Sequence, residues 1–140
     1  MSEPESNELD ASRKGLYAPV SPEESGYHLW KQFDPDLALT FSKFFVGGLY
    51  QRTVLTQRER QLCTVAALTV MRATEELRMH VHGARNRGAS AQEIAEVMFQ
   101  MVTYGGAPAT VQGLKVLRDC LKERGEPLLA QSADPASNET

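Results

Sequence analysis

A chain of 140 residues with 41% hydrophobic side chains is long enough for one domain with a moderate core. Its 15 basic and 18 acidic residues are interspersed and give a formal net charge of −3, without the basic stripe that a nucleic-acid partner requires. No apolar run approaches the roughly 20 residues that cross a bilayer, so we expect a cytoplasmic protein with no membrane partner.

Polar segments stand at both ends of the chain. We predict flexible tails at residues 1–14 and 126–140, which leaves one helical domain at residues 15–125. The two cysteines, Cys63 and Cys120, are far apart in apolar helical contexts. We therefore interpret both as buried thiols and not as a redox pair or part of a zinc cluster.

The first predicted helices lie between residues 21 and 50. The segment 21–33 can hold a short helix, and Asp34 followed by Pro35 then supplies an N-cap and a proline at the first helical position. We expect that second helix to run to about Tyr50. Its apolar face is formed by Leu37, Phe41, Phe44, Phe45 and Leu49.

Two capping boxes mark the starts of later helices. Thr56 with Glu59 begins a helix that ends near Arg72, and Ser90 with Glu93 begins another. In each pair the first side chain can cap a free backbone N–H while the carboxylate reaches back to the cap.

Glycine and proline mark the remaining helix ends. Gly88 stops the helix that contains the sequence EELRMHVHGARNRG at 75–88, and a glycine pair at 105–106 ends the next one. Pro108 opens a last helix, which Gly125 stops. Five or six helices joined by short loops predict an all-α, single-domain helical bundle.

The segment 75–88 contains the best candidates for proton chemistry. Glu76 and His80 are four residues apart and share a helix face, so the carboxylate can orient the ring or merely pair with it. His82 points about 200° away from His80, and the H-E-x-x-H spacing of a zinc site is absent, so we expect no metal. The nearby arginines are Arg72, Arg78, Arg85 and Arg87. They can form a solvated helix face, or one of them can lie at a cleft and bind a substrate carboxylate with two hydrogen bonds.

Three stretches together resemble the carboxymuconolactone decarboxylase family. They are FFVGGLYQRTVL at 44–55, LTQRERQL at 55–62 and EELRMHVHGARNRGASAQEIAEVMFQMVTYGGAPA at 75–109, and the likeness covers about residues 35–122. The resemblance implies an all-helical subunit in a homo-oligomer, a trimer or a hexamer, with its active site near subunit contacts. It also implies decarboxylation of a small-molecule lactone in the breakdown of aromatic compounds, with no cofactor.

The other large branch of that family is the alkylhydroperoxidase type, which uses a C-x-x-C pair four residues before a histidine. Here His80 matches the histidine, but Ala73 and Glu76 stand where the cysteines would be. A thiol peroxidase is therefore excluded, because both sulfurs are missing.

The chain also departs from the decarboxylase pattern at several pocket positions. It has Val46, Gly47, Gly48, Leu49 and Tyr50 where those enzymes commonly show W-G-D-I-W. His82 replaces a frequent arginine, and Val111 replaces a frequent asparagine. We expect a less polar pocket, which puts the family's usual substrate, γ-carboxymuconolactone, in question.

By this resemblance, His80 would return a proton to carbon after CO2 leaves, with Glu76 as its orienting partner. The side chains expected to hold or surround the substrate are Arg52, Arg85, Tyr50, Tyr104, Phe44 and Phe45. Two alternatives stay open. One is a family member recruited as a lactone isomerase, hydrolase or cyclase, and the other is a non-catalytic helical oligomer that binds a hydrophobic ligand.

Self-association is also predicted from apolar content. A thin bundle cannot cover all of its large apolar side chains, so we expect some of them to be buried between subunits. Those that favour this interpretation are Phe41, Phe44, Phe45, Leu49, Met98 and Met101.

Overall fold

The structure is a computed structural model that describes residues 15–128, and all of the regular structure in that range is helical. The longer helices are α1 (Gly26–Phe33), α2 (Pro35–Ser42), α3 (Gln57–Met71), α4 (Thr74–Asn86), α5 (Ala91–Gln100) and α6 (Val102–Glu123). The predicted all-α fold class is confirmed. The predicted tail at 1–14 and residues 129–140 of the second tail lie outside the described residues.

The helix starts predicted from capping residues are confirmed. The Asp34 side chain accepts a hydrogen bond from the Leu37 N–H at 3.0 Å, and Pro35 is the first residue of α2. Reciprocal capping boxes begin α3 at Thr56 and α5 at Ser90. At these three positions the local sequence determines where the helix begins.

The predicted helix from Pro35 to about Tyr50 has a different course. It is α-helical only as far as Ser42, and the chain then continues through a π-helical turn, Lys43–Gly48, and a 3-10 turn, Leu49–Gln51. Gly47 and Gly48 have no side chains to hold a regular turn, which allows the backbone to widen here. The π-helical turn lies beside the cavity described below.

The long helix α6 is broken near its start. Gly106 has φ 83° and ψ 165°, which interrupts the helix, and Pro108 follows at the start of its regular part. Gly125, with φ 69°, follows its end. The predicted breaks at 105–106 and at Gly125 are thus confirmed, although α5 itself ends earlier, at Gln100.

The core lies among α3, α4, α5 and α6, while α1 and α2 pack on each other. Its largest fully buried apolar side chains include Val65, Leu77, Val81, Ile94 and Met98. The burial of Met98 corrects its predicted role on an interface. No helix within residues 15–128 is both long enough and apolar enough to cross a bilayer.

The two cysteines differ in burial. Cys120 is buried, as predicted, and burial raises the pKa of its thiol to about 12. Cys63 is exposed on α3, so the prediction of a buried thiol is wrong for this residue. Helical spacing indicates which positions share a face, but the packing of neighbouring helices decides which face is covered.

Candidate active site

A cavity of about 620 Å³ lies where α1, α2 and the π-helical turn meet α3 and α4. Its walls include six phenylalanine, tyrosine and tryptophan side chains, which are Tyr17, Tyr27, Trp30, Phe41, Phe45 and Tyr50. Trp30 stacks on Phe41 with ring centroids 4.7 Å apart, and Phe41 contacts Phe45 at 4.4 Å. Cavities of this size with apolar walls and a few polar groups are typical of small-molecule sites.

His80 is the imidazole of this cavity. Its Nδ1 lies 2.9 Å from Oε1 of Gln61, a fully buried residue of α3. The edge of the Tyr17 ring packs against the imidazole with centroids 5.1 Å apart. Because an amide oxygen only accepts hydrogen bonds, Nδ1 carries the hydrogen, and Nε2 is left with a lone pair for a ligand.

Burial also determines the charge of this ring. Removal of water from around the imidazole lowers the pKa of His80 from 6.5 to about 4. The ring is therefore neutral near pH 7. A neutral imidazole accepts a proton at Nε2 before it can donate one.

A glycine makes room for the His80 and Gln61 pair. A Cβ at Gly83 would lie 2.9 Å from Gln61 Oε1 and 3.1 Å from a ring carbon of Tyr17. A side chain at this position would therefore displace the two residues that hold the His80 ring. Gly83 follows His80 by about one turn of α4, so the helix contributes both the imidazole and the space for its partner.

The structure gives His80 a different partner from the one predicted. Glu76 is exposed on α4, and within residues 15–128 no hydrogen bond or ion pair of its side chain is found. Gln61 holds the ring instead. The spacing of residues on one helix gave no signal for this contact, because Gln61 lies on another helix, 19 residues earlier in the chain.

Three predicted residues, His80, Tyr50 and Phe45, line the cavity. Arg85 does not, because its guanidinium binds the Glu126 carboxylate at 2.9 Å and the Ala89 carbonyl. The other predicted residues that do not line the cavity are Arg52, Phe44 and Tyr104, the last with 72% exposure. The arginine that does line it is Arg87.

His82 lies in a separate polar cluster, as its direction on the helix predicted. It is fully buried, its Nε2 lies 3.4 Å from a Glu123 carboxylate oxygen, and one of its ring nitrogens lies within 4.8 Å of Cys120 Sγ. The Glu123 carboxylate also binds Arg78 at 2.7 and 2.9 Å, and Arg124 approaches His82 Nδ1 at 3.4 Å. These two arginines already supply the positive charge that a metal ion would bring, so we interpret the cluster as structural.

Residues 35–119 of the chain match the model of the carboxymuconolactone decarboxylase family. The chain belongs to this family. The matched region contains α2 to α6 up to Asp119, and therefore His80, Gln61 and most of the cavity wall.

Several relatives match parts of the chain. An uncharacterised 15.0 kDa protein from the nqo9–nqo10 intergenic region of Paracoccus denitrificans is 35% identical over 94 residues, which are 66% of this chain and 70% of that protein. The 4-carboxymuconolactone decarboxylase of Acinetobacter baylyi is 29% identical over 93 residues, which are 66% and 69% of the two chains. The nitrosuccinic acid decarboxylase of Metarhizium robertsii is 29% identical over 77 residues, 55% of this chain and 54% of that enzyme.

The departures from the family pattern are not all at the cavity. Val46 and Tyr50, from the segment that replaces W-G-D-I-W, line it directly. Val111 is 49% exposed and His82 lies in the polar cluster, and neither is part of the described wall. The departures that lie at the cavity are therefore in the π-helical turn and the 3-10 turn after it.

Proposed function

We propose that this protein is a decarboxylase that acts, without a metal or organic cofactor, on a small lactone or conjugated carboxylic acid. Membership of a family with relatives named as decarboxylases supports this proposal. The observation that carries it is the state of His80, a neutral imidazole in an apolar cavity with Nδ1 held by Gln61 and Nε2 available.

The proposed reaction needs few groups from the protein. The bond between the substrate carbon and its carboxylate breaks, CO2 leaves, and the electron pair passes into the conjugated carbonyl to give a dienolate. One proton then returns to carbon. Walls such as Trp30, Phe41 and Phe45 keep water away from the departing carboxylate, which favours its conversion to neutral CO2.

His80 can supply that proton only after it has taken one up. A substrate anion near Nε2 favours the charged ring, so proton uptake would accompany substrate binding. The imidazolium then donates its Nε2 proton to the dienolate carbon and returns to the neutral form. Gln61 accepts the Nδ1 hydrogen bond in both states, so the ring keeps its orientation throughout.

The test is CO2 release by the purified protein, with products identified by mass spectrometry. The substrates are γ-carboxymuconolactone and lactone acids with larger apolar substituents, and the variant is His80→Gln. We expect the variant to be slower by about 100-fold or more, because general acid catalysis typically contributes that much. His28→Gln, which changes a histidine of α1 outside the cavity wall, is the matched control and should keep wild-type turnover. Equal CO2 release by the wild type and His80→Gln would overturn the proposal.

A second candidate is lactone isomerisation, hydrolysis or cyclisation in which His80 acts as a base. The neutral state of the ring favours it, because a free Nε2 lone pair can remove a proton from carbon or water. The same mass spectra separate the two, since isomerisation and cyclisation conserve the substrate mass and hydrolysis adds water. A protein that only binds a hydrophobic ligand would consume no substrate, and His80→Gln would change nothing but affinity.

A further inference from the structure

Arg87 lines the same cavity as His80 and follows the C-terminal end of α4, the helix whose middle carries His80. It follows His80 by seven residues and forms the C-cap of α4, so the two side chains leave the helix on nearly the same face. Seven residues of helix span about 10 Å along the axis. The cavity thus has a proton-handling group and a permanent positive charge whose backbone positions are about two helical turns apart.

The guanidinium of Arg87 differs from its neighbours in having no partner within residues 15–128. Arg78, Arg85 and Arg124 each bind a carboxylate of Glu123 or Glu126. Among the described residues that line the cavity, Arg87 is the one cation, and its side chain is exposed. A guanidinium in this position is available for paired hydrogen bonds to a carboxylate.

Most other polar side chains of the wall are already engaged with backbone. Gln51 Nε2 donates to the Val46 carbonyl at 2.9 Å, and Gln57 Nε2 donates to the Tyr50 carbonyl. Thr64 donates its hydroxyl hydrogen to a carbonyl of its own helix. The aromatic rings that line the same cavity offer surface that suits an apolar body.

The leaving carboxylate is a poor ligand for Arg87. A guanidinium would stabilise that carboxylate in the ground state and lose the interaction as neutral CO2 forms, which would raise the barrier. The anion that binds Arg87 must therefore be one that the reaction leaves in place.

We propose that Arg87 binds a second, unreacting carboxylate of the substrate, and that an aromatic-sized apolar body lies between this anion and the reacting carbon at His80. The inference rests on the proposed function, which makes the His80 cavity the reaction site. It narrows the substrate class to amphipathic acids in which an apolar body separates two acidic groups.

Two dyes of nearly equal shape test this selectivity without turnover. The anionic probe is 8-anilino-1-naphthalenesulfonate, and the neutral one is N-phenyl-1-naphthylamine, which lacks the sulfonate. Trp30 is the only tryptophan of the chain and lines the cavity, so energy transfer from it reports binding there. We expect Arg87→Gln to lower the affinity for the anionic dye about tenfold or more, because the dye loses a hydrogen bond to a charged group. The affinity for the neutral dye should change by less than about twofold.

Controls separate a charge effect at the site from a general one. Arg118→Gln removes an exposed arginine whose one ion-pair partner among the described residues is its neighbour Asp119, and it should leave the binding of both dyes unchanged. Phe45→Ala should weaken the binding of both dyes, since it removes a side chain of the cavity wall that both would contact. Equal effects of Arg87→Gln on the two dyes, no effect on either, or no energy transfer from Trp30 in the wild type would overturn the inference.

The dye measurement and the CO2 assay can fail independently. His80→Gln should keep the preference for the anionic dye, because it leaves Arg87 in place. Selective loss of that preference in Arg87→Gln would support the anion site even if no acid is decarboxylated. Conversely, His80-dependent CO2 release with no dye selectivity would support the proposed function and reject the role of Arg87.

Discussion

At the scale of single residues, the choice of Gln61 as the partner of His80 has a chemical consequence. A carboxylate beside the ring would favour the imidazolium in every state, whereas a neutral amide fixes the ring without adding charge. Burial lowers the pKa of His80 to about 4, and the neutral amide does not raise it again. Protonation then depends on the charge that a substrate brings.

We predict that Gln61→Leu lowers kcat by about tenfold or more, because Nδ1 loses its acceptor and the ring loses its fixed orientation. Gln61 Nε2 is buried and has no hydrogen-bond partner in the part of the chain that the structure describes, so leucine should cost little folding stability. Glu76→Gln, which changes the exposed carboxylate that spacing had suggested, should keep kcat within about twofold. Steady-state kinetics and thermal unfolding of the two variants check this, and a larger kcat loss in Glu76→Gln than in Gln61→Leu would contradict it.

Some residues of the candidate site could be predicted from the sequence, and others could not. His80 was predicted because it stands in a family motif, and the aromatic wall residue Phe45 because it recurs at helical spacing. Gln61 was missed because the i, i+4 rule finds partners only within one helix, while this contact joins α3 to α4. Arg85 and Arg87 are two positions apart and point to different sides, so only the packing around α4 shows which one faces the cavity.

At the scale of elements, helix starts were predictable and helix continuity was not. The caps at Asp34, Thr56 and Ser90 depend on side chains within three residues, so sequence alone locates them. The change from α2 to a π-helical turn depends on how the segment packs, and the two glycines at 47 and 48 indicated only that the turn would be loose. The cavity wall is formed at this less predictable element.

We predict that Gly106→Ala destabilises the protein by about 1–3 kcal/mol, because φ 83° with ψ 165° is a conformation that side chains rarely adopt. Gly47→Ala is the matched control, since its Cβ would have no heavy atom within 4 Å and its φ is not positive. That control should be neutral or stabilise the protein by up to about 1 kcal/mol. Urea unfolding measures both, and equal stability of the two variants would contradict a special role for Gly106.

At the scale of the whole molecule, several large apolar side chains of α1, α2 and the π-helical turn are exposed in the single chain. Phe33 is 84% exposed, and Leu29, Leu37 and Phe44 are each more than half exposed. A surface of this kind favours contact with another subunit. The apolar content of the short chain predicted this excess, although the buried Met98 does not contribute to it.

We predict a homo-oligomer at micromolar concentration, a trimer or a hexamer by the family resemblance. Phe33→Asp should lower the mass measured by light scattering, because it places a charge in the proposed contact. Val54→Asp changes an equally exposed apolar residue in the loop before α3, and it should leave the mass unchanged. A wild-type monomer would contradict the prediction, as would dissociation by Val54→Asp alone.

The most direct test of the central claim, that His80 gives the proton to the product, is the pH dependence of kcat/KM for CO2 release. This ratio reports the protonation state of the free enzyme, in which the pKa of His80 is about 4. Because the fraction of protonated His80 falls as pH rises above that value, kcat/KM should fall about tenfold per pH unit for a substrate that stays ionised. A kcat/KM that is constant from about pH 5 to 8, or that rises with pH, would contradict proton donation by His80.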